Sequence, residues 1–489
     1  MRREFLLNII FLLSVNLLIK PFYIFGIDRT IQNKVGLEDY GLYATLFSFT
    51  FLMQIVNDFG LQNFNNRNIA QHNQLLPKYF PNMLILKLGL GLIYTCLTIM
   101  VALIIGYGTR QFYLLFFFII NQILLSAVLF FRSNISGLGF YRTDSLLTIL
   151  DRLLLIIICG ALLWGNLING PFQIEWFVYA QTTSLFITAC ICFSIVFKKI
   201  SSFKLKFNPA FLLLILKKSY PFALAIFLMT VYTRIDFVMI ERLLVNGEKE
   251  AGIYASAYRL LDASNMLGLL FAGLLLPMSA RLLKERKSIR PLLRLSLQLI
   301  LCGAITLAIA TWFFRIPIMF LLYDDASIYG ANILVILMFT FILVSGGYIY
   351  STLLTANNSL TKMNKIFALS VALNILFNFL LIPRYGALGA ACTTFFTQAF
   401  ALICQILIAK KEFYLNTDYK LLGRFLLLGL LIGGSSYLIA ERIYIHWMVN
   451  YGFVLFLGLG FGFMIGLLKI DAFLQLIKEK ATLKNTKSE

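Results

Sequence analysis

Five ionisable residues lie deep within apolar stretches of this sequence: Lys20, Arg234, Asp236, Arg259 and Asp262. Four of them fall in one segment, VYTRIDFVMIERLLVNGEKEAGIYASAYRLLD, from Val231 to Asp262. An ion at the centre of a bilayer costs roughly 2.5–3.5 kcal/mol on insertion scales, so five uncompensated ions would rival the stability of a whole domain. They must face protein or a water-filled cavity. Arg259 and Asp262 are three residues apart and share a helical face, so they can bridge locally. Arg234 and Asp236 are two apart and point to nearly opposite sides, so at least one must reach another helix, a cavity or a ligand. Lys20 has no acidic residue within a helical turn. Two readings stay open for Asp236 and Asp262: a coupling role, or an interhelical network pairing Arg234 with Asp262 and Asp236 with Arg259. Three deep cations against two deep anions favour an anionic cargo. Phosphate suits such a site, since Lys supplies a point charge and Arg a bidentate fork.

The elements that position these groups must be long apolar helices. Of the 489 residues, 60% are hydrophobic and 13% charged, where ordinary globular chains are about half apolar and a quarter charged. Apolar runs of roughly 20 residues, each enough to cross a bilayer core, recur along the whole chain. The expected fold class is an all-α polytopic membrane protein with about 14 transmembrane helices. The N-terminal MRREFLLNIIFLLSVNLL is built like a signal peptide but lacks a small-x-small cleavage site, and Lys20 and Pro21 interrupt the place for one. It is expected to be a retained first helix, spanning about 8–27. Lys87 (span 82–107), Arg152 (span 146–165), Asp58 and Asp151 fall nearer span ends, where the long basic side chains are expected to snorkel to water.

The net charge of +20 is distributed by topology rather than gathered for nucleic acid. With the N-terminus in the cytoplasm, 29 of the 42 Lys and Arg fall in cytoplasmic segments against 8 on the opposite side, the remaining five being in spans. That is the positive-inside bias, and it places both termini in the cytoplasm. The clusters Lys198, Lys199, Lys204, Lys206, Lys217, Lys218 and Arg281, Lys284, Arg286, Lys287, Arg290, Arg294 read as topology determinants facing anionic headgroups. Seven cysteines lie inside spans without a C-x-x-C, and the two histidines, His72 and His446, are far apart. Neither a metal, a disulfide nor a cofactor is expected.

An internal repeat supports a two-lobed arrangement. Gly41-Leu42-Tyr43-Ala44 matches Gly252-Ile253-Tyr254-Ala255, and Ala180-Gln181-Thr182-Thr183 matches Ala391-Cys392-Thr393-Thr394, both at an offset of 211. Six spans separate the equivalents, so both halves enter the membrane in the same sense, a parallel repeat. The expected organisation is an N-terminal lobe 1–200 (spans 1–6), a basic cytoplasmic linker 201–218 and a C-terminal lobe 219–411 (spans 7–12). Residues 412–489 follow, with two extra helices and a basic tail. The glycines of GLGLGFGFMIG in the last span read as helix packing, since no strand precedes them.

The segments NKVGLEDYGLYA (33–44), VNDFGLQNFNNRNIA (56–70), RIDFVMIERLL…AGIYASAYRLLD (234–262) and LIPRYGALGAA (381–391) resemble the Wzx-type polysaccharide (O-antigen or capsule) flippases. Their superfamily also holds the MATE drug exporters and the lipid II flippases. The resemblance extends over nearly the whole chain. It implies two six-helix lobes around a central cavity with two additional C-terminal helices, in the bacterial cytoplasmic (inner) membrane. It also implies transfer of undecaprenyl-diphosphate-linked oligosaccharide to the periplasmic leaflet by alternating access, for surface polysaccharide synthesis. The partners implied are the lipid-linked anionic oligosaccharide, membrane lipids and other polysaccharide-assembly proteins. Arg234, Asp236, Arg259 and Asp262 carry over as lining residues; Lys20 rests on depth alone.

The alternatives are a MATE-like cation-coupled exporter, a lipid II-type flippase and a membrane enzyme of the same pathway. Exporters resembling MATE often carry an Asp in the middle of the first helix, where Lys20 would instead repel cationic cargo. An enzyme would need catalytic carboxylates on extramembrane loops. Asp324-Asp325 is the acidic pair that offers itself, and its simplest reading is a solvated loop, so the chain is not expected to be an enzyme. Sugar recognition would fall to scattered polar residues such as Asn16, Gln54, Asn121, Gln181, Asn374, Asn378 and Gln398.

Overall fold

A computed structural model describes residues 18–62, 65, 69, 76–165, 170–200, 209–442 and 446–468. The N-terminal signal-like stretch before residue 18, Asn16, His72, Lys204 and Lys206, and the tail after 468 lie outside the described residues. Among the described residues thirteen α-helices follow one another: α1 (Arg29–Asp58), α2 (Leu76–Ile105), α3 (Thr109–Gly137), α4 (Tyr141–Trp164), α5 (Ile174–Phe197), α6 (Pro209–Leu243) and α7 (Gly247–Lys284). Then come α8 (Arg290–Leu322), α9 (Ile328–Ala356), α10 (Leu360–Tyr385), α11 (Ala387–Phe413), α12 (Tyr419–Arg442) and α13 (Trp447–Met464). The fold is all-α, and the twelve helices from α2 to α13 are each long and apolar enough to cross a membrane. They correspond one to one with expected spans 3–14.

The first two spans are joined differently from expectation. Helix runs from residue 18 through a π-helical stretch, Tyr23–Asp28, straight into α1. The break between the two spans is Gly36 (φ 81°, ψ 176°), inside α1. Glycine is the residue that enters this conformation without a Cβ clash, so one residue does the work of a loop.

Burial is inverted relative to a water-soluble bundle. Leu92, Phe116, Ile157 and Leu430 are exposed, whereas Thr45, Ser48, Thr50, Asn57, Gln122, Asn374 and Asn378 are buried. Apolar side chains facing lipid lose nothing by exposure, and polar ones must find partners inside.

The chain divides into two compact units. The first holds Met1–Ser256, Leu322–Asp325 and Phe367–Ala390. There α1 packs on α2, α3 and α6, and α5 on α3 and α4. Tyr43 anchors this packing, with ring centroids 5.5 Å from Phe118 and 5.0 Å from Phe177, and its hydroxyl accepts from Gln181 Nε2 at 2.7 Å.

The second unit holds Ala257–Leu321, Ala326–Ile366 and Ala391–Glu489. Here α13 lies against α8 through small residues. A Cβ on Gly458 would fall 2.2 Å from Thr306 Cγ2, and one on Gly462 would fall 2.7 Å from Cys302 Sγ. Gly458 and Gly462 of the last span are therefore packing residues, whereas Gly460 faces open space. Cys302 is among seven free thiols.

Gly458→Leu should force α13 off α8, an overpacking penalty of about 1–3 kcal/mol. A lowered melting temperature of the detergent-solubilised protein is the expected readout, and Gly460→Leu, where a Cβ meets open space, should leave it unchanged.

Candidate functional site

Two groups of deep charges and one tight helix crossing define the first unit. The crossing comes first because it brings the two halves of the sequence together. A Cβ on Gly41 of α1 would lie 1.8 Å from the Glu248 carbonyl oxygen, and one on Gly252 of α7 would lie 2.0 Å from the Leu37 carbonyl oxygen. The relation is reciprocal: 37 and 248, like 41 and 252, differ by 211. The repeat seen in the sequence is thus a pseudo-twofold contact in which each glycine lets the other half's backbone approach.

Polar contacts close the same end of the unit. Gln32 Nε2 donates to Ser256 Oγ, and Tyr323 OH donates to the Ser256 carbonyl at 3.1 Å. Arg29 Nε and Asn33 Nδ2 both donate to the Leu322 carbonyl. Asp324 and Asp325 are exposed beside this backbone contact, which agrees with a solvated loop.

Next to the crossing, Gln111 Nε2 donates to Glu241 Oε1 at 3.0 Å and to Glu248 Oε1 at 3.3 Å. Arg242 pairs with Glu241 at 2.6 Å and lies 4.2 Å over the Tyr107 ring. Burial, with the Glu241 carboxylate nearby, holds the Tyr107 phenol above its ordinary pKa. Arg110 bridges Asp39 at 2.8 Å and Glu175 at 3.5 Å. The starts of α3, α5 and α7 and the end of α6 are tied together here.

Asp236 anchors the first charge group. It is fully buried on α6, with 0% exposure. Tyr254 OH donates to Oδ2 at 3.1 Å and Asn378 Nδ2 to Oδ1 at 2.7 Å. The same Asn378 amide also donates to Asn374 Oδ1 at 3.1 Å. The sequence argument that at least one of Arg234 and Asp236 must reach beyond its own helix is met by Asp236, through Tyr254 of α7 and Asn378 of α10. The expectation that Asn374 and Asn378 contact sugar is not: both are fully buried, turned to the carboxylate that they help to stabilise. Arg234, two residues away on α6, is half-buried.

Lys20 belongs to the second group. Its charged neighbours are Arg152 and Asp151 of α4 and Arg132 of α3. The Arg152 guanidinium sits 4.8 Å over the Tyr23 ring and 3.7 Å from Asp151 Oδ2. Arg132 pairs with Asp144 at 2.8 Å. Sequence reasoning placed Arg152 near a span end. The helix instead begins at Tyr141, which sets Arg152 eleven residues in, about 16 Å along the axis. The first residues of that helix, Tyr141-Arg142-Thr143-Asp144, are polar. Lys20 and Asp236 therefore serve different clusters.

The remaining site residues lie in the second unit. Arg259 and Asp262 of α7 are both partly buried and face each other at 3.9 Å, the expected i,i+3 bridge in a loose form.

One ion departs from expectation outright. Lys87 does not snorkel. Its side chain is 7% exposed and pairs with Asp58, while Ser126 Oγ accepts from the same Nζ. Eleven residues of α2 precede it, too deep for Nζ to reach the interface while an acidic partner on α1 stands opposite. Breaking one side of a buried ion pair costs about 3–5 kcal/mol, and replacing both partners with apolar groups costs far less. Lys87→Met alone should lower the melting temperature sharply, and Lys87→Met with Asp58→Leu should recover most of it, as read by thermal unfolding in detergent.

Residues 5–283 match the model of a family described as polysaccharide biosynthesis protein. The capsular polysaccharide biosynthesis protein CapF of Staphylococcus aureus is 28% identical over 213 residues, 42% of this chain and 51% of that protein. The alignment thus spans about half of the relative's length. Among solved structures, the lipid II flippase MurJ in an inward closed conformation superimposes with a TM-score of 0.70 at 13% identity. That match covers 94% of this chain and 97% of the other. An inward-facing multidrug resistance MATE family transporter of the MOP superfamily gives a TM-score of 0.63 at 16% identity, over 80% of this chain and 94% of that one. At these identities the likeness is one of fold.

Proposed function

We propose that this chain, which belongs to the polysaccharide biosynthesis protein family, is a flippase. Its cargo in this reading is undecaprenyl-diphosphate-linked oligosaccharide, moved from the cytoplasmic to the periplasmic leaflet of the inner membrane by alternating access, for surface polysaccharide synthesis. The observation that carries the reading is the Lys20 cluster. Lys20, Arg132 and Arg152 share one neighbourhood with Asp144 and Asp151, three cations with two carboxylates. In this reading a diphosphate adds negative charge beside Lys20. A cationic drug would be repelled there, which disfavours the exporter alternative.

The family membership and the MurJ-like fold support transport rather than bond chemistry. In the proposed topology both termini are cytoplasmic, so the Gly41–Gly252 crossing and its polar contacts form the periplasmic seal. The repeat divides the chain as 1–200, 201–218, 219–411 and 412–489, and rocking of one repeat on the other would part that seal. Arg234 and Arg259 extend the cationic route. Asp236, buried with Tyr254 and Asn378 as donors, and Asp262 are the groups through which an ion gradient would couple. Other polysaccharide-assembly proteins would supply and receive the lipid-linked unit.

Reconstitution into liposomes with a labelled lipid-diphosphate oligosaccharide tests this directly. Lys20→Gln and Arg152→Gln should each cut leaflet transfer by roughly tenfold or more, since a hydrogen bond to a charged group contributes about 1.5–3 kcal/mol. Arg234→Ala and Arg259→Ala should lower it while insertion persists. Arg152→Lys should recover part of the activity. Parental transfer in the Lys20→Gln, Arg152→Gln double variant would reject the diphosphate site.

A further inference from the structure

The second unit holds a cavity of about 1330 Å³ that the transport reading does not use. Its mouth carries Arg290 and Arg294 from the first turn of α8, Lys410 from the last turn of α11 and Lys420 from the first turn of α12. Asp418 is the single carboxylate among the lining residues. Below the mouth the wall is apolar, with Leu297, Leu301, Leu343, Leu402 and Ile406, all partly exposed.

Three features point to one kind of occupant. The volume exceeds the roughly 300–1,000 Å³ of pockets for drug-sized ligands. The depth matches one leaflet: Arg290 to Leu301 is eleven residues of α8, about 16 Å, against a hydrocarbon core about 30 Å thick. The charge lies at the headgroup end alone, four cations against one anion.

The local bonds hold this arrangement in place. Arg290 donates to the Tyr414 carbonyl, Arg294 pairs with Asp418 at 3.3 Å, and Lys410 Nζ donates to Thr417 Oγ1 at 2.9 Å. Asp418 also caps α12, its Oδ1 accepting from Leu421 N at 3.0 Å. The loop between α11 and α12 is thus tied across the cavity mouth. The sequence offered Arg290 and Arg294 only as topology determinants, because the lysines that complete the ring lie more than a hundred positions away.

We propose that this cavity binds one anionic glycerophospholipid of the cytoplasmic leaflet. Its phosphate is held by Arg294, Lys410 and Lys420, and an acyl chain lies along the Leu297, Leu343 and Leu402 wall. The lipid is a resident of the second unit, distinct from cargo, so the inference does not depend on the flippase reading.

The test uses the full chain in mild detergent, titrated with phosphatidylglycerol, phosphatidylcholine or inorganic phosphate. Native mass spectrometry reads retained lipid, and thermal unfolding reads stabilisation. Phosphatidylglycerol should be retained at one per chain and raise the melting temperature, whereas phosphatidylcholine and phosphate should do neither. Arg294→Gln with Lys420→Gln, both at exposed positions, should weaken retention by about tenfold or more, as expected for loss of charge-assisted contacts. Leu343→Trp should block retention with every charge intact. Undiminished phosphatidylglycerol retention by the charge variant, or equal retention of both phospholipids by the parental chain, would overturn the proposal. So would a matching shift from inorganic phosphate, which would mean a headgroup-sized anion site. Displacement of phosphatidylglycerol by an equimolar polyprenyl diphosphate would also overturn it, by making the occupant cargo.

Discussion

The close approach of α1 and α7 at Gly41 and Gly252 is the constraint on which the first unit depends. Two helices from different halves of the chain meet there backbone to backbone, each glycine against a carbonyl four residues before the other. No side chain larger than hydrogen fits at either position. With little hydrophobic drive between helices in lipid, such small-residue contacts and the hydrogen bonds around them supply the association energy. Gln32, Ser256, Tyr323 and Asn33 supply those bonds.

The deep charges follow from the same physics. Asp236 is tolerated because Tyr254 and Asn378 donate to both of its oxygens. Lys87 is tolerated because Asp58 and Ser126 receive its protons. Both are internally satisfied. The group around Lys20 differs in kind, because its cations outnumber its carboxylates, and its surplus is what an anionic headgroup would complement.

Much of this was legible in the sequence. Hydrophobic run length yields the order of the twelve helices α2 to α13, because a single lipid-spanning segment satisfies its own backbone only as a helix. The repeat offset of 211 also relates the two glycines, and the two carbonyls, of the α1–α7 crossing. Other features were not legible, for identifiable reasons. A single glycine, Gly36, replaces the loop between the first two spans, and hydropathy carries no signal for backbone torsion. Lys87 read as a snorkelling residue because its partner, Asp58, lies 29 positions away. Asn374 and Asn378 read as sugar ligands because a polar residue in a span announces that it needs a partner, and not which one.

The claim most open to direct measurement is that the Gly41–Gly252 crossing is what seals one end of the first unit. Ser256, 2% exposed, lies one turn past Gly252 within that seal, and Ser256→Cys in an otherwise cysteine-free chain makes it a reporter. In intact cells a membrane-impermeant maleimide should leave this thiol unlabelled. Adding Gly41→Val, which puts side-chain atoms where the Glu248 carbonyl now sits, should expose it to rapid labelling from outside. If the thiol stayed protected in the Gly41→Val background, with the protein folded and inserted, the crossing would not be the seal.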